Sequence, residues 1–238
     1  MKVSLFVTCL VDQLFPKVGL DTVRLLERLG VEVSFDARQT CCGQPAFNSG
    51  YRSEARQVAN HLLEIFEDSE WVVVPSGSCT AMIRALPELF EGSKREQARD
   101  LAKRTVEISD FVYSVLGVRN TGAQFAARAT YHDSCHLLRE LGVARQPREL
   151  LSQVEGLELI EMSDSDRCCG FGGTFSVKFP EISTELGNDK ILAIEACGAD
   201  YVIANDSSCL MHLQGLLSRR QSHIKTLHTV EVLAARGD

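Results

Sequence analysis

Eight of the nine cysteines in this 238-residue chain fall into two sets with nearly the same spacing. Each set contains an adjacent pair followed by glycine, with one further cysteine on either side. Adjacent side chains point to opposite faces of a strand and diverge by about a quarter turn on a helix, so two neighbouring thiols converge only in a loop. We therefore expect each set to hold a metal ion or a metal cluster. The first set is Cys9, Cys41, Cys42 and Cys79, and the second is Cys135, Cys168, Cys169 and Cys209.

Four thiolates satisfy either a tetrahedral zinc ion or the four irons of a cubane iron-sulfur cluster. Zinc sites usually present close ligand pairs of the C-x-x-C type, and neither set contains one. Directly adjacent cysteines reach different corners of a wide object more easily than two corners of one ion. This spacing favours one or two iron-sulfur clusters, most simply [4Fe-4S], with zinc as the alternative. A disulfide between adjacent cysteines is the weakest interpretation, because its ring is strained.

Other side chains near the two sets have candidate roles in the same chemistry. His132 and His136 flank Cys135, and His212 lies three residues after Cys209; each could ligate a metal, donate a hydrogen bond to sulfur or carry a proton. The ninth cysteine, Cys197, lies outside both sets and is expected to be a small buried hydrophobe. We expect backbone room for the cofactor, rather than a phosphate cradle, at Gly43, Gly170, Gly172 and Gly173.

The composition excludes several classes of function. Lys and Arg number 25 against 32 Asp and Glu, which gives a formal net charge of -7 and argues against nucleic acid as a partner. The short apolar run before Cys9 does not fit a secretory signal, and no stretch approaches the roughly 20 apolar residues that span a bilayer. We therefore expect a cytoplasmic protein without a membrane span, in which the cysteines remain reduced.

The elements that position the cysteines repeat along the chain. Short apolar strands alternate with amphipathic helices, and Cys9, Cys79, Cys135 and Cys209 each follow the carboxyl end of a predicted strand. Matching cysteines of the two sets are separated by 126, 127 and 130 residues, which indicates an internal duplication. The sequence predicts an α/β fold with two pseudo-symmetric, Rossmann-like parallel-sheet halves, in which ligands bind beyond the strand ends.

The boundary between the halves is expected near Asn120–Gly122. Residues 1–121 would form the first cysteine-rich repeat with a connecting helix, and residues 122–238 would form the second repeat. The charged segment Glu91–Lys103 is predicted to continue as one amphipathic helix as far as Val115. A short strand and a helix are expected between Ile224 and Ala235.

The two patterns, C-(31 residues)-CCG-(35 residues)-C and C-(32 residues)-CCG-(38 residues)-C, resemble the duplicated cysteine-rich, or CCG, domain. That domain occurs in heterodisulfide reductase B subunits and in glycolate oxidase iron-sulfur subunits. Residues 131–137 and 208–212 carry the resemblance as well. With only the two repeats, the chain is most similar to family members that take part in lactate utilization. The resemblance implies an iron-sulfur subunit of an oxidoreductase that converts L-lactate to pyruvate; whether this chain catalyses alone stays open.

The resemblance also has departures. Met82 and His212 stand where the fuller family motif has a second cysteine, which puts the family's unusual noncubane clusters in doubt. The ferredoxin-like C-x-x-C-x-x-C run of longer family members is missing, so the implied partners are a ferredoxin-type iron-sulfur subunit and further subunits of a lactate-oxidising complex. A small 2-hydroxy acid is a further candidate ligand. Two alternatives remain: a zinc-stabilised or metal-free interaction module, and a heterodisulfide-reductase-like thiol/disulfide subunit. If only one half is active, we expect it to be the second.

Overall fold

Strands and helices alternate along the computed structural model, which describes residues 1–237. The strands are β1 (Lys2–Leu5), β2 (Glu32–Ser34), β3 (Val72–Val74), β4 (Thr105–Glu107), β5 (Gln124–Tyr131), β6 (Glu155–Leu159), β7 (Tyr201–Ala204) and β8 (Lys225–His228). The helices of the first half are α1 (Cys9–Leu14), α2 (Pro16–Arg28), α3 (Gln44–Asn48), α4 (Arg52–Ile65), α5 (Gly77–Ala85), α6 (Gly92–Arg104) and α7 (Ile108–Asp110). Those of the second half are α8 (Cys135–Arg139), α9 (Arg145–Leu151), α10 (Thr174–Lys178), α11 (Pro180–Ala196), α12 (Ser207–Arg219) and α13 (Thr229–Ala234).

The strands form two parallel sheets with the same strand order. The first sheet is ordered β2-β1-β3-β4 and the second β6-β5-β7-β8, so each element of the first half has a counterpart in the second. The registers agree as well, because Ser4 lies opposite Val72 in the first sheet and Thr130 lies opposite Val202 in the second. The predicted fold class, two similar parallel-sheet halves in an α/β protein, is confirmed.

The central strands are buried because helices cover both faces of each sheet. All three valines of β3 are fully buried, as expected for a parallel strand with no solvent-facing side. The covering helices are amphipathic: α4 turns Ala55, Ala59 and Leu62 towards the sheet, while its other face is exposed. In both sheets the order of the strands reverses beside the first strand, where ligands bind in folds of this type.

The largest hydrophobic core joins the two halves. It contains Val73 and Phe111 from the first half together with Ile203 and Val230 from the second, all fully buried. The helices α2 and α13 pack against each other across the same junction. The predicted division at residues 121 and 122 stays a prediction, since the two repeats share this core.

The prediction of one continuous helix from the charged segment to Val115 was wrong. Helix α6 ends at Arg104, and Thr105–Glu107 form β4, which pairs with β3 in parallel. Thr105 and Val106 are β-branched and buried, and pairing with the buried β3 outweighs the helical period of the surrounding residues. After α7, a π-helical turn spans Phe111–Val115. Within the described residues, no helix is long and apolar enough to cross a membrane.

Candidate metal centre

Four of the cysteines lie in the first turn of a helix that follows a strand. Cys9 opens α1 after β1, and Cys135 opens α8 after β5. Cys79 and Cys209 are the third residues of α5 and α12, which follow β3 and β7. Unpaired backbone N–H groups give a helix N-terminus a partial positive charge, which stabilises a thiolate there. The predicted position of these cysteines, beyond the carboxyl ends of the central strands, matches the structure.

The two Cys-Cys-Gly loops have almost the same backbone geometry. Gly43 and Gly170 take φ angles of 89° and 91°, a left-handed conformation that side chains with a Cβ atom rarely adopt. Their N–H groups point back to the first cysteine of each pair, 3.4 Å from the sulfur of Cys41 and 3.3 Å from that of Cys168. A Cβ atom at Gly170 would also lie 2.3 Å from the backbone oxygen of Ser183, so only glycine fits there.

The thiols of the first set contact one another. The sulfur atoms of Cys9 and Cys41 are 3.7 Å apart. Interactions with the side chains of Cys41 and Cys79, together with burial, raise the pKa of Cys42. Hydrogen bonds from Cys42 and Cys9 lower the pKa of Cys41, whereas the hydrogen bond to Cys41, followed by burial, raises the pKa of Cys9. The set therefore concentrates negative charge on Cys41, which its neighbours stabilise as a thiolate.

The second set repeats this chain of contacts and adds a histidine. Hydrogen bonds from Cys135 and Cys169 lower the pKa of Cys168, as in the first set. The pKa of Cys209 is lowered to about 6, first by its hydrogen bond with Cys169 and further by the His132 side chain. Candidate ligand atoms of His132, Cys169 and Cys209 all lie within 4.8 Å of one another, and all three residues are buried.

All eight cysteines line one cavity of about 370 Å³ between the two halves. The sequence predicted a cysteine-lined edge on each half, but it did not predict that the two edges face each other. Polar contacts cross the cleft: Gln44 Nε2 lies 3.5 Å from His136 Nε2, and the Ser49 hydroxyl donates to Thr174 Oγ1 at 3.1 Å. Thiolates, hydroxyls and amides dominate the polar lining, and Asp206 contributes a carboxylate.

Asp206 connects the second half to the helix that carries Cys79. Its Oδ1 accepts hydrogen bonds from the Ser76 hydroxyl at 2.7 Å, the Ser78 N–H at 3.0 Å and the Ser78 hydroxyl at 2.8 Å. Ser76 is the residue that caps α5, so the carboxylate holds the N-terminus of this helix. Its Oδ2 is buried and has no hydrogen-bond partner among the described residues.

The three candidate histidines occupy different environments. His132 is fully buried, and neither ring nitrogen has an oxygen or nitrogen partner in the described chain. His136 lines the cavity with Nδ1 3.7 Å from the Cys135 sulfur. His212 packs beside Phe171, and burial lowers its pKa.

The remaining candidate residues divide between the cavity and the core. Gly172 and Gly173 line the cavity, whereas Gly43 and Gly170 shape the loops from behind. Cys197 lies apart from both sets: its thiol donates to the Ile194 carbonyl, and its side chain packs against the core of the second half.

Sequence reasoning missed two charged residues of the centre, Asp206 and Lys190. Lys190 is fully buried on α11, and its Nζ donates to the carbonyls of Asp164 and Ser165, just ahead of Cys168. Burial lowers the pKa of Lys190, and its electrostatic interaction with Cys169 partly opposes this effect. A signal for each was present in the sequence: an acid two residues after a strand end, and a lysine within the apolar stripe of a helix.

The residues present fit a thiolate-bound metal centre. The four thiols of each set line the same cavity, loop N–H groups face sulfur, and a nitrogen of the buried His132 lies within 4.8 Å of the sulfurs of Cys169 and Cys209. The fold and the site thus define a protein of two fused cysteine-rich repeats. A family model described as a cysteine-rich domain, CCG, matches residues 3–84 and again residues 129–214. The chain belongs to this family.

Curated relatives match the chain over its full length. Lactate utilization protein A of Bacillus subtilis (strain 168) is 49% identical over 238 residues, which cover 99% of this chain and 100% of the relative. Lactate utilization protein A of Macrococcus caseolyticus (strain JCSC5402) is also 49% identical, over 98% of this chain and 96% of its own. A hypothetical protein from Helicobacter pylori has the same fold, with a TM-score of 0.67 at 11% identity over all of this chain and 49% of that one.

Proposed function

We propose that the chain is an iron-sulfur electron-transfer subunit that takes part in the oxidation of L-lactate to pyruvate. The observation that carries this proposal is the convergence of two four-thiol sets on one cavity. Each set supplies one thiolate per iron of a [4Fe-4S] cluster, held by Cys9, Cys41, Cys42 and Cys79 or by Cys135, Cys168, Cys169 and Cys209. The lactate substrate is proposed from the name of the relatives, which are similar along the whole chain.

When bound, such clusters supply one-electron transfer, and the protein sets their potential through ligation, burial and hydrogen bonds to sulfur. This chain contributes the loop N–H groups of Gly43 and Gly170, directed at the sulfurs of Cys41 and Cys168. The helix N-termini at Cys79 and Cys209 stabilise negative charge on the same sets. These features support a role in holding electrons within the cleft.

The charge of the lining favours electron transfer over binding of a carboxylate substrate. Among the described lining residues, Asp206 is the one side chain other than cysteine with a full charge, and neither Lys nor Arg occurs. Such a lining offers no cationic partner to an anion such as lactate, and the Asp206 carboxylate repels one. We therefore assign substrate oxidation to a partner subunit and electron relay to this chain, with a ferredoxin-type subunit as the further acceptor or donor.

A zinc-stabilised interaction module is the second candidate function. The observation that favours it is the close group of His132, Cys169 and Cys209, a ligand set that also suits zinc. In that case the cysteines would hold the two halves in shape, and catalysis would belong to the partners.

Anaerobic purification followed by metal and sulfide analysis separates the two functions. The iron-sulfur proposal predicts a brown protein with broad absorbance near 400 nm and about four irons for each occupied set. Stoichiometric zinc without iron or sulfide would refute it. A heterodisulfide-type activity would instead appear as cleavage of disulfide substrates by the reduced chain, with no response to lactate-dependent partners.

Paired variants test which thiols hold the metal. Cys41→Ala/Cys42→Ala and Cys168→Ala/Cys169→Ala are each expected to lose about half of the iron if both sets are occupied. Cys197→Ala is the matched control, because its thiol lies outside both sets and bonds only to the Ile194 carbonyl. Iron that survives both double substitutions would contradict the assignment of the ligands.

A further inference from the structure

The surroundings of the two cysteine sets differ at three positions related by the internal repeat. Polar side chains occupy these positions in the second half, and apolar side chains occupy them in the first. The spacings of 126, 127 and 130 residues pair His132 with Phe6, Lys190 with Leu63, and His212 with Met82. The pairs lie on equivalent elements, since His132 and Phe6 follow β5 and β1, and Lys190 and Leu63 lie on α11 and α4.

Lys190 places a buried ammonium group behind the second set. Its side chain is fully buried, and its Nζ donates to the carbonyls of Asp164 at 2.5 Å and Ser165 at 3.1 Å. These carbonyls belong to the loop that leads into Cys168, so the ammonium lies behind the segment that carries the second Cys-Cys pair. Solvent screens a buried charge only weakly, so its effect on the second set persists at physiological salt.

His132 adds a hydrogen-bond donor that the first set lacks. In either neutral tautomer one ring nitrogen carries a hydrogen, and neither nitrogen has an oxygen or nitrogen partner in the described chain. The thiols of Cys169 and Cys209 are close to the ring. A polar ring nitrogen thus lies within 4.8 Å of the sulfurs of Cys169 and Cys209, whereas the fully buried Phe6 offers no polar group at the matching position.

We propose that Lys190 and His132 make the second cysteine set the site that accepts an electron more readily. This inference rests on the proposed iron-sulfur function. Uptake of one electron from a low-potential one-electron donor adds one negative charge. A nearby cation and an N–H dipole beside sulfur both stabilise that charge and raise the reduction potential. The first set, surrounded by Phe6, Leu63 and Met82, therefore passes electrons on to the second.

Redox titration of single-set variants tests the proposal. The full chain is loaded with iron and sulfide anaerobically, and dithionite titrations are followed by electron paramagnetic resonance. Cys41→Ala/Cys42→Ala leaves the second set intact, and Cys168→Ala/Cys169→Ala leaves the first. At an effective dielectric constant of about 20, a unit charge about 12 Å away changes an equilibrium constant about tenfold, and a closer charge changes it more. The second set is therefore expected to be reduced at a potential at least about 59 mV higher, which is tenfold for one electron.

A charge-removing substitution assigns the difference to its cause. Lys190→Met is expected to lower the equilibrium constant for reduction of the second set about tenfold and to leave the reduction potential of the first set unchanged. Lys178→Met is the matched control, because Lys178 lies in the same half but is exposed to solvent. If Lys190→Met does not fold, His132→Phe restores the residue type of the first half and is expected to shift the potential in the same direction.

The outcomes separate this inference from the proposed function. Equal potentials of the two sets, or an unchanged potential in iron-loaded Lys190→Met and His132→Phe, would overturn the inference and leave the iron-sulfur function standing. Failure of the unmodified chain to hold any iron would overturn both. A shift confined to the second set would support the inference.

Discussion

Glu107 offers a quantitative test of the junction between the two halves. It ends β4 in the first half and is buried, and its Oε1 accepts a hydrogen bond from Asn205 Nδ2 at 2.8 Å. Asn205 follows β7 of the second half and also accepts from the Tyr131 hydroxyl at 2.9 Å. Burial raises the pKa of Glu107 to about 7, although hydrogen bonds from Ser109 and Asn205 offset part of the increase.

The raised pKa makes stability depend on pH in a defined window. Between its ordinary value of 4.5 and about 7, Glu107 is protonated in the folded chain and ionised in the unfolded one. The folded state then binds more protons, so the free energy of unfolding falls as the pH rises through this window. The contribution is fully present below pH 4.5 and is lost above pH 7, a change of about 3 kcal/mol.

The substitution Glu107→Gln removes this titration. We expect the difference in unfolding free energy, variant minus unmodified chain, to increase by about 3 kcal/mol from pH 4.5 to pH 8. The measurement is urea unfolding of the reduced, metal-free chain, followed by circular dichroism at several pH values. Glu67→Gln is the control on an exposed side chain. A difference for Glu107→Gln that does not change with pH would refute the reasoning.

Three further substitutions test the second Cys-Cys-Gly loop, the hydrogen bonds of Asp206 and a buried ion pair. Gly170→Ala should destabilise the chain by more than about 2 kcal/mol, because its Cβ would meet the Ser183 oxygen, whereas Gly50→Ala, with φ of 84° and open space, should cost about 1 kcal/mol. Asp206→Ala should cost about 2–4 kcal/mol in urea unfolding and should speed alkylation of the cavity thiols, because two hydroxyls and one N–H lose their acceptor. The Arg148 guanidinium donates two hydrogen bonds of 2.7 Å to the buried Asp133 carboxylate. Arg148→Met leaves that carboxylate without a cation and should cost about 3 kcal/mol by the same assay.

Each of these expectations has a contrary result. Equal costs at Gly170 and Gly50 would show that the approach to the Ser183 oxygen is unimportant. Unchanged alkylation rates in Asp206→Ala would show that this carboxylate does not limit access to the cavity thiols. A neutral Arg148→Met would show that the ion pair adds nothing to stability.

Much of the fold was predictable because its signals are local and occur twice. The equal spacing of the cysteines indicated the duplication, and the alternation of apolar strands with amphipathic helices indicated the parallel sheets. The strand β4 was not predicted, since a three-residue strand between helical segments is too short to show an alternation of apolar and polar residues. Its conformation depends on pairing between Val73 and Val106, which lie far apart in the sequence.

The site was predictable in its ligands but not in its geometry. Adjacent cysteines before glycine indicated convergent thiols, because neither helix nor strand brings such neighbours together. The facing arrangement of the two sets depends on how the halves pack, through residues such as Phe111 and Val230. No pattern within one half carries that information. Asp206 likewise reveals its role only in space, because its partners Ser76 and Ser78 belong to the other half.

The shared core makes each repeat depend on the other for burial of its apolar surface. Side chains of both repeats, such as Val73 and Ile203, are buried together in one cluster. A single repeat could bury this surface only by pairing with a second copy, so the junction between the halves has the character of a homodimer interface. Because both repeats belong to one chain, each half can differ from the other in sequence. Phe6 and His132 are an example, since a homodimer of identical repeats would carry the same residue at both positions.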